Sequence, residues 1–134
     1  MSATTRILCV DDSAAVADAV RCLIESQPDL QWVGHLQTAD ELVSEAERLR
    51  PDLVLLDLDL PGRPAFDALA ALVRSESNTR VIILSGFMSD ALVDRAFDAG
   101  AWGYVNKNDG PKAIISAIRR VQKDEFALDL TAAG

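Results

Sequence analysis

Three stretches of four residues carry no polar side chain: Ile7-Leu8-Cys9-Val10, Leu53-Val54-Leu55-Leu56 and Val81-Ile82-Ile83-Leu84. A strand with one wet face alternates apolar and polar residues. Short unbroken runs of Val, Ile and Leu suit strands buried on both faces, as in a parallel sheet. Trp32-Val33-Gly34-His35-Leu36 and Gly103-Tyr104-Val105 are weaker strand candidates.

Between these runs the apolar spacing becomes helical. Val16, Val20, Leu23 and Ile24 share a face of a helix over residues 13–26, with Asp12 or Ser13 as its cap and Pro28 barring continuation. Thr38 and Glu41 have the spacing of a capping box ahead of Leu42, Ala46 and Leu49. Phe66, Leu69, Leu72 and Val73 mark a third helix. Leu92, Ala96 and Phe97 mark a fourth, with Asp90 in its start and Gly100 as its stop. Ile114, Ile118 and Val121 mark a fifth, capped by Asn108 or Asp109 with Pro111 in its first turn. Arg119, Arg120 and Lys123 suit the C-terminal end of that helix, where a solvated face is expected. Five strand–helix units predict a doubly wound, three-layer α/β sandwich with five parallel strands and five helices.

Each strong strand then ends in polar residues that the pattern does not require: Asp11-Asp12, Asp57, Ser85 and Asn106-Lys107. A parallel sheet brings these ends to one edge, where open α/β folds bind ligands. Three carboxylates, a hydroxyl and one ammonium would meet there. Such crowding favours a divalent cation, and Mg²⁺ (or Mn²⁺) is typically held by one or two carboxylates with positions left for phosphate oxygens. A carboxylate can attack phosphorus, which makes Asp57 the candidate nucleophile. Lys107, the Ser85 hydroxyl and the metal would share the equatorial oxygens. Gly86 keeps the approach open, and Pro61-Gly62 gives a tight turn after the Asp57 strand.

Asp11-Asp12, Val54-Leu55-Leu56-Asp57-Leu58-Asp59-Leu60-Pro61-Gly62, Ile83-Leu84-Ser85-Gly86 and Gly103-Tyr104-Val105-Asn106-Lys107 together resemble the signature of CheY-like receiver domains of two-component response regulators. The resemblance implies a flavodoxin-like sheet of order 2-1-3-4-5. It implies that Asp57 is the phosphoacceptor, that Asp11 and Asp12 hold the metal, and that the Asp59 backbone carbonyl completes its shell. It further implies that Ser85 and Lys107 contact the phosphoryl group and that Tyr104 is a switch residue. The implied partner is a sensor histidine kinase or phosphotransfer protein, with a homodimer formed on phosphorylation as a further expectation. The family uses such a domain as a phosphorylation switch that catalyses only its own phosphorylation and dephosphorylation, and is not otherwise an enzyme. Three departures stand out: Ser85 stands where Thr is commoner, Asn108 follows Lys107 where many relatives have Pro, and Asp59 adds a charge beside the site.

The last helix is similar to receivers of the NarL/FixJ group, in which the chain continues into a DNA-binding domain. Residues 1–123 are therefore expected to form the receiver. Residues 124–134 are expected to be a tail or the start of a linker to an effector domain absent from this sequence. A net charge of −8 makes the domain a poor binder of nucleic acid or anionic membrane. No apolar run is long enough to span a bilayer, and the cytoplasm is the expected compartment. Cys9 and Cys22 are expected to be two buried free thiols, and His35 a strand residue rather than a ligand or phosphodonor. Trp32, Trp102 and Phe126 read as packing or surface contacts.

Three other readings compete. Asp57-Leu58-Asp59-Leu60 also resembles the first motif of haloacid-dehalogenase-type phosphatases, but there the acidic pair follows the motif, whereas here it precedes it. A pseudo-receiver module would usually lack Asp57 or Lys107. A flavin-binding protein needs a Ser/Thr/Gly-rich phosphate loop where Asp11-Asp12 stand.

Overall fold

The computed structural model describes residues 4–75 and 77–128. The strands are β1 (Thr5–Val10), β2 (Leu30–Leu36), β3 (Leu53–Asp57), β4 (Arg80–Ser85), β5 (Gly103–Asn106) and β6 (Ala127–Leu128). The helices are α1 (Ala14–Glu25), α2 (Leu42–Leu49), α3 (Ala65–Arg74), α4 (Asp90–Asp98) and α5 (Pro111–Gln122). All strand pairs are parallel, in the order β2-β1-β3-β4-β5-β6.

The apolar runs do form the strands buried on both sides. Leu8, Val10, Val54, Leu56, Val81 and Ile83 pack under α2, α3 and α4. Ile7, Leu53, Leu55, Ile82 and Leu84 pack under α1 and α5. Alternate residues of each run thus supply opposite cores, which explains why no polar residue interrupts them.

Among the described residues the expected five strands are six. After α5 the chain reverses at Asp124, which lies in the left-handed region (φ 62°). Ala127 and Leu128 then pair with Gly103 and Tyr104. A two-residue strand is too short to show a period in sequence. Its docking rests on tertiary contacts. Phe126 stacks on Trp102 with ring centroids 4.6 Å apart, and Arg80 lies 3.9 Å over the Trp102 ring. Gly103 eases this pairing, because a Cβ on it would crowd the Ala127 carbonyl oxygen at 3.1 Å. Residues 124–128 are therefore folded against the sheet, while the rest of the expected tail, 129–134, lies outside the described residues.

Of the two cap candidates for α1, Ser13 is the one used, accepting from the Val16 N–H. Three local expectations change. Thr38 Oγ1 accepts from the Asp40 N–H in a turn, so Thr38 and Glu41 form no capping box and α2 starts without a side-chain cap. Neither Asn108 nor Asp109 caps α5: residues Lys107–Asp109 form a single 3-10 turn, capped by Asn106, and α5 begins after Gly110. Arg119 does not face solvent freely, because its guanidinium makes a two-pronged contact with the Asp29 carboxylate and joins α5 to the start of β2. That pairing holds the Arg119 guanidinium above its usual pKa. On α3, Val73 sits half exposed at the end of the apolar stripe.

Candidate acidic phosphoacceptor site

Four strand ends deliver the polar set to one edge of the sheet, as the topology requires. β1 delivers Asp11 and Asp12, β3 ends at Asp57, β4 at Ser85, and β5 runs into Lys107. The three acidic side chains and Lys107 converge. Carboxylate oxygens of Asp11, Asp12 and Asp57 lie within 4.8 Å of one another. Lys107 Nζ stands between two of them, 3.0 Å from Asp11 Oδ2 and 2.8 Å from Asp57 Oδ2. Asp11 and Asp57 are buried and Asp12 is exposed, so the cluster has one open side.

One ammonium against three carboxylates leaves excess negative charge in a partly dry place. Burial pushes the Asp57 carboxyl above the ordinary carboxylate range, although Lys107 and the Asp59 N–H oppose the shift. Burial alone would lower the Lys107 ammonium, but its bonds to Asp57 and Asp11 outweigh that and hold it above its usual value. The donor set consists of hard oxygens with a net negative charge and access from solvent, which fits a divalent cation such as Mg²⁺. Asp57 Oδ1 also accepts from the Asp59 N–H at 3.0 Å, so the loop after β3 already orients the carboxylate. The Asp59 side chain is exposed.

Ser85 and Tyr104 are fully buried. Ser85 Oγ accepts from the Phe87 N–H at 3.0 Å, and the Tyr104 hydroxyl donates to the Phe87 carbonyl at 2.7 Å. The Phe87 peptide groups thus connect the strand-end hydroxyl to the aromatic ring of β5. Sequence reading missed this link, because main-chain groups carry no residue signature. The Phe87 side chain itself is largely exposed at the rim. Asn108 donates from Nδ2 to the Gly86 carbonyl at 3.3 Å and ties the β4 and β5 loops together. A Cβ at Gly86 would meet no protein atom within 4 Å, so the fold itself does not demand glycine there.

Both cysteines are free, but only Cys9 is buried. Cys22 lies on the outer face of α1, because the helix buries Ala17, Val20 and Ile24 instead. Burial, with the Asp11 charge adding to it, pushes the Cys9 thiol up to about 12.

Residues 7–119 match the response regulator receiver domain family. The chain belongs to that family. The receiver is 33% identical over 129 residues to the transcriptional regulatory protein LiaR of Bacillus subtilis, a match covering 96% of this chain and 61% of that protein. It is 30% identical to the response regulator protein VraR of Staphylococcus aureus, over 94% of this chain and 60% of VraR. The receiver thus spans about three-fifths of the length of these curated relatives. Among solved structures, a two-component response regulator of the LuxR family from Aurantimonas superposes with a TM-score of 0.88 at 32% identity, covering 93% of this chain and 89% of that one. The receiver is thus a two-component signalling domain of the flavodoxin-like α/β class, similar to LuxR- and NarL-group regulators. These matches do not favour a haloacid-dehalogenase-type phosphatase or a pseudo-receiver. Among the described residues no helix is long and apolar enough to cross a membrane.

Proposed function

We propose that Asp57 accepts a phosphoryl group from the phosphohistidine of a sensor kinase or phosphotransfer protein. The observation that carries this reading is the Lys107 ammonium held between Asp11 and Asp57, with Asp12 completing an open acidic cluster. A carboxylate oxygen of Asp57 attacks phosphorus as the P–N bond to the donor imidazole breaks. The donor nitrogen leaves with the electron pair, and an acyl phosphate remains on Asp57.

Asp11, Asp12 and Asp57, with the Asp59 backbone carbonyl, would hold Mg²⁺ or Mn²⁺. The cation supplies neutralisation of the acidic cluster and of one phosphoryl oxygen. Lys107 transfers its hydrogen bond from Asp57 to a second phosphoryl oxygen, while the Asp59 N–H keeps the carboxylate oriented. The Ser85 hydroxyl, which accepts from the Phe87 N–H and is hydrogen-bonded to Tyr104, takes the third by turning its O–H away from Tyr104.

Tyr104 is the readout. Its hydroxyl is tied to Phe87, so movement of the Ser85–Phe87 loop is felt at β5. The domain acts as a cytoplasmic switch, not as an enzyme turning over an external substrate. The output is transcription, through an effector domain joined beyond the receiver, whose signalling unit includes β6 as well as residues 1–123, with homodimerisation following phosphorylation. The transcriptional output is supported by the name of its relative LiaR and by the share of its relatives' length that the receiver spans.

Intact-mass measurement after incubation with acetyl phosphate and Mg²⁺ tests the phosphoacceptor. The wild type is expected to gain one phosphoryl mass and Asp57→Asn none. A phosphoryl adduct of equal yield on Asp57→Asn would refute the assignment.

A further inference from the structure

β2 is irregular in its middle, three residues before the end that lies beside Asp11. Ile7 pairs with Trp32, but Leu8 pairs with Gly34, so Val33 is an extra residue. Side chains along a strand alternate between faces, and a bulge resets that alternation. Trp32 packs on the α1/α5 side and Val33 on the α2–α4 side. Gly34 faces the same side as Val33: a Cβ there would meet Leu49 Cδ1 at 3.2 Å and Leu8 Cδ1 at 3.3 Å, and both leucines belong to the α2–α4 core. Leu36 packs in that core as well. His35, between Gly34 and Leu36, is thereby turned to the α1 side. Regular pairing would have sent it under α2.

That turn gives the imidazole a task. Its Nε2 lies 2.7 Å from the backbone carbonyl oxygen of Asp11. A carbonyl only accepts, so Nε2 carries the proton and donates. The Asp11 N–H in turn donates to the Leu36 carbonyl at 2.9 Å. Both main-chain groups of Asp11 are thus tied to β2. The carbonyl belongs to the planar peptide that links Asp11 to Asp12. The Asp11 carboxylate has its own supports, the Ser13 N–H and Lys107. The exposed Asp12 carboxylate has no hydrogen-bond or ion-pair partner among the described residues. Its place relative to Asp11 is therefore set by the peptide that His35 holds.

We infer that His35 is a positioning residue for the acidic pair: the β2 bulge aims its Nε2–H at the Asp11 carbonyl and fixes the Asp11–Asp12 peptide for cation binding. This rests on the reading above that the cluster holds a divalent cation. Partners that orient metal ligands from behind typically change affinity by about 10–100-fold when removed.

Two substitutions separate hydrogen bonding from packing. His35→Phe keeps a ring and removes the donor. His35→Gln loses the ring and keeps an N–H donor the same number of bonds from the backbone. Mn²⁺ binding to the full chain, followed by the electron paramagnetic resonance signal of free Mn²⁺, is compared for wild type, both variants and Asp12→Asn, with Tm in EDTA recorded alongside. His35→Phe is expected to raise the Mn²⁺ Kd about tenfold, the low end of such effects, and His35→Gln to restore most of the affinity, at Tm values that do not follow that order. Wild-type affinity in His35→Phe, or a loss in His35→Gln equal to that in His35→Phe, would overturn the inference while leaving the metal site standing. Absence of Mn²⁺ binding in the wild type, or unchanged binding in Asp12→Asn, would instead overturn the metal reading and the inference with it.

Discussion

Replacing Asp57 with Asn is expected to make the metal-free receiver more stable. Oxygens of Asp11, Asp12 and Asp57 lie within 4.8 Å of one another, and at an effective dielectric of about 20 two unit charges at that separation repel by roughly 3.5 kcal/mol. The Lys107 contact with Asp57 at 2.8 Å returns roughly 6 kcal/mol on the same scale. Two repulsions and one attraction of these sizes nearly cancel. What remains is the cost of keeping a buried carboxylate dry, several kcal/mol at most. Asn has nearly the same volume, and its side-chain oxygen still accepts from the Asp59 N–H. A gain of about 2 kcal/mol is expected, or roughly 6–8 °C in Tm for a domain of this size. Thermal and urea unfolding in EDTA at neutral pH, followed by circular dichroism, measure it. Added Mg²⁺ should then raise wild-type stability by mass action and raise that of the Asn variant less, closing the gap. An Asn variant equal to or less stable than wild type in EDTA would refute the argument that the three carboxylates are crowded.

The same cause sets a pH dependence. Burial holds Asp57 above its ordinary value of 3.8, so in that window the folded state binds a proton that the unfolded chain has released. The stability linked to this group is whole below 3.8 and is lost as pH rises through the folded value. The Tm advantage of Asp57→Asn in EDTA should therefore shrink between neutral pH and the acid side, as unfolding scans at stepped pH would show. Gly103→Val should destabilise the receiver by about 1–3 kcal/mol through overpacking against the Ala127 carbonyl. Hydrogen exchange at the Ala127 amide, which donates to the Trp102 carbonyl, should accelerate. Native protein treated with iodoacetamide at pH 8 should take up one adduct, on exposed Cys22, and unfolded protein two, because Cys9 is buried with its thiol pushed up to about 12. Mass spectrometry counts the adducts.

Sequence periodicity located the elements best where burial was complete. The runs at Ile7–Val10, Leu53–Leu56 and Val81–Leu84 had to be strands, because nothing else of that length hides every side chain. The convergence of Asp11, Asp12, Asp57 and Lys107 was legible for a related reason: parallel topology forces strand ends to one edge. Caps were less legible. Thr38 has a capping spacing yet bonds to Asp40, since a hydroxyl takes whichever N–H the loop brings near. Cys22 looked like core and is exposed, because a helix face is fixed by what packs on it.

The chain alone therefore determined the layered architecture and the gathering of acidic and basic side chains at one edge, since both follow from the order and period of strands that a linear sequence displays. Tertiary structure alone decided the features that depend on groups with no residue signature. Phe87 links Ser85 to Tyr104 through main-chain atoms. The sixth strand exists because Gly103 admits a carbonyl and Trp102 offers a face to Phe126. His35 reaches Asp11 only because one extra residue in β2 reverses its direction. Side-chain direction in a strand has a period of two, so a single bulge changes which face a residue serves, and only the paired strands record where that bulge falls.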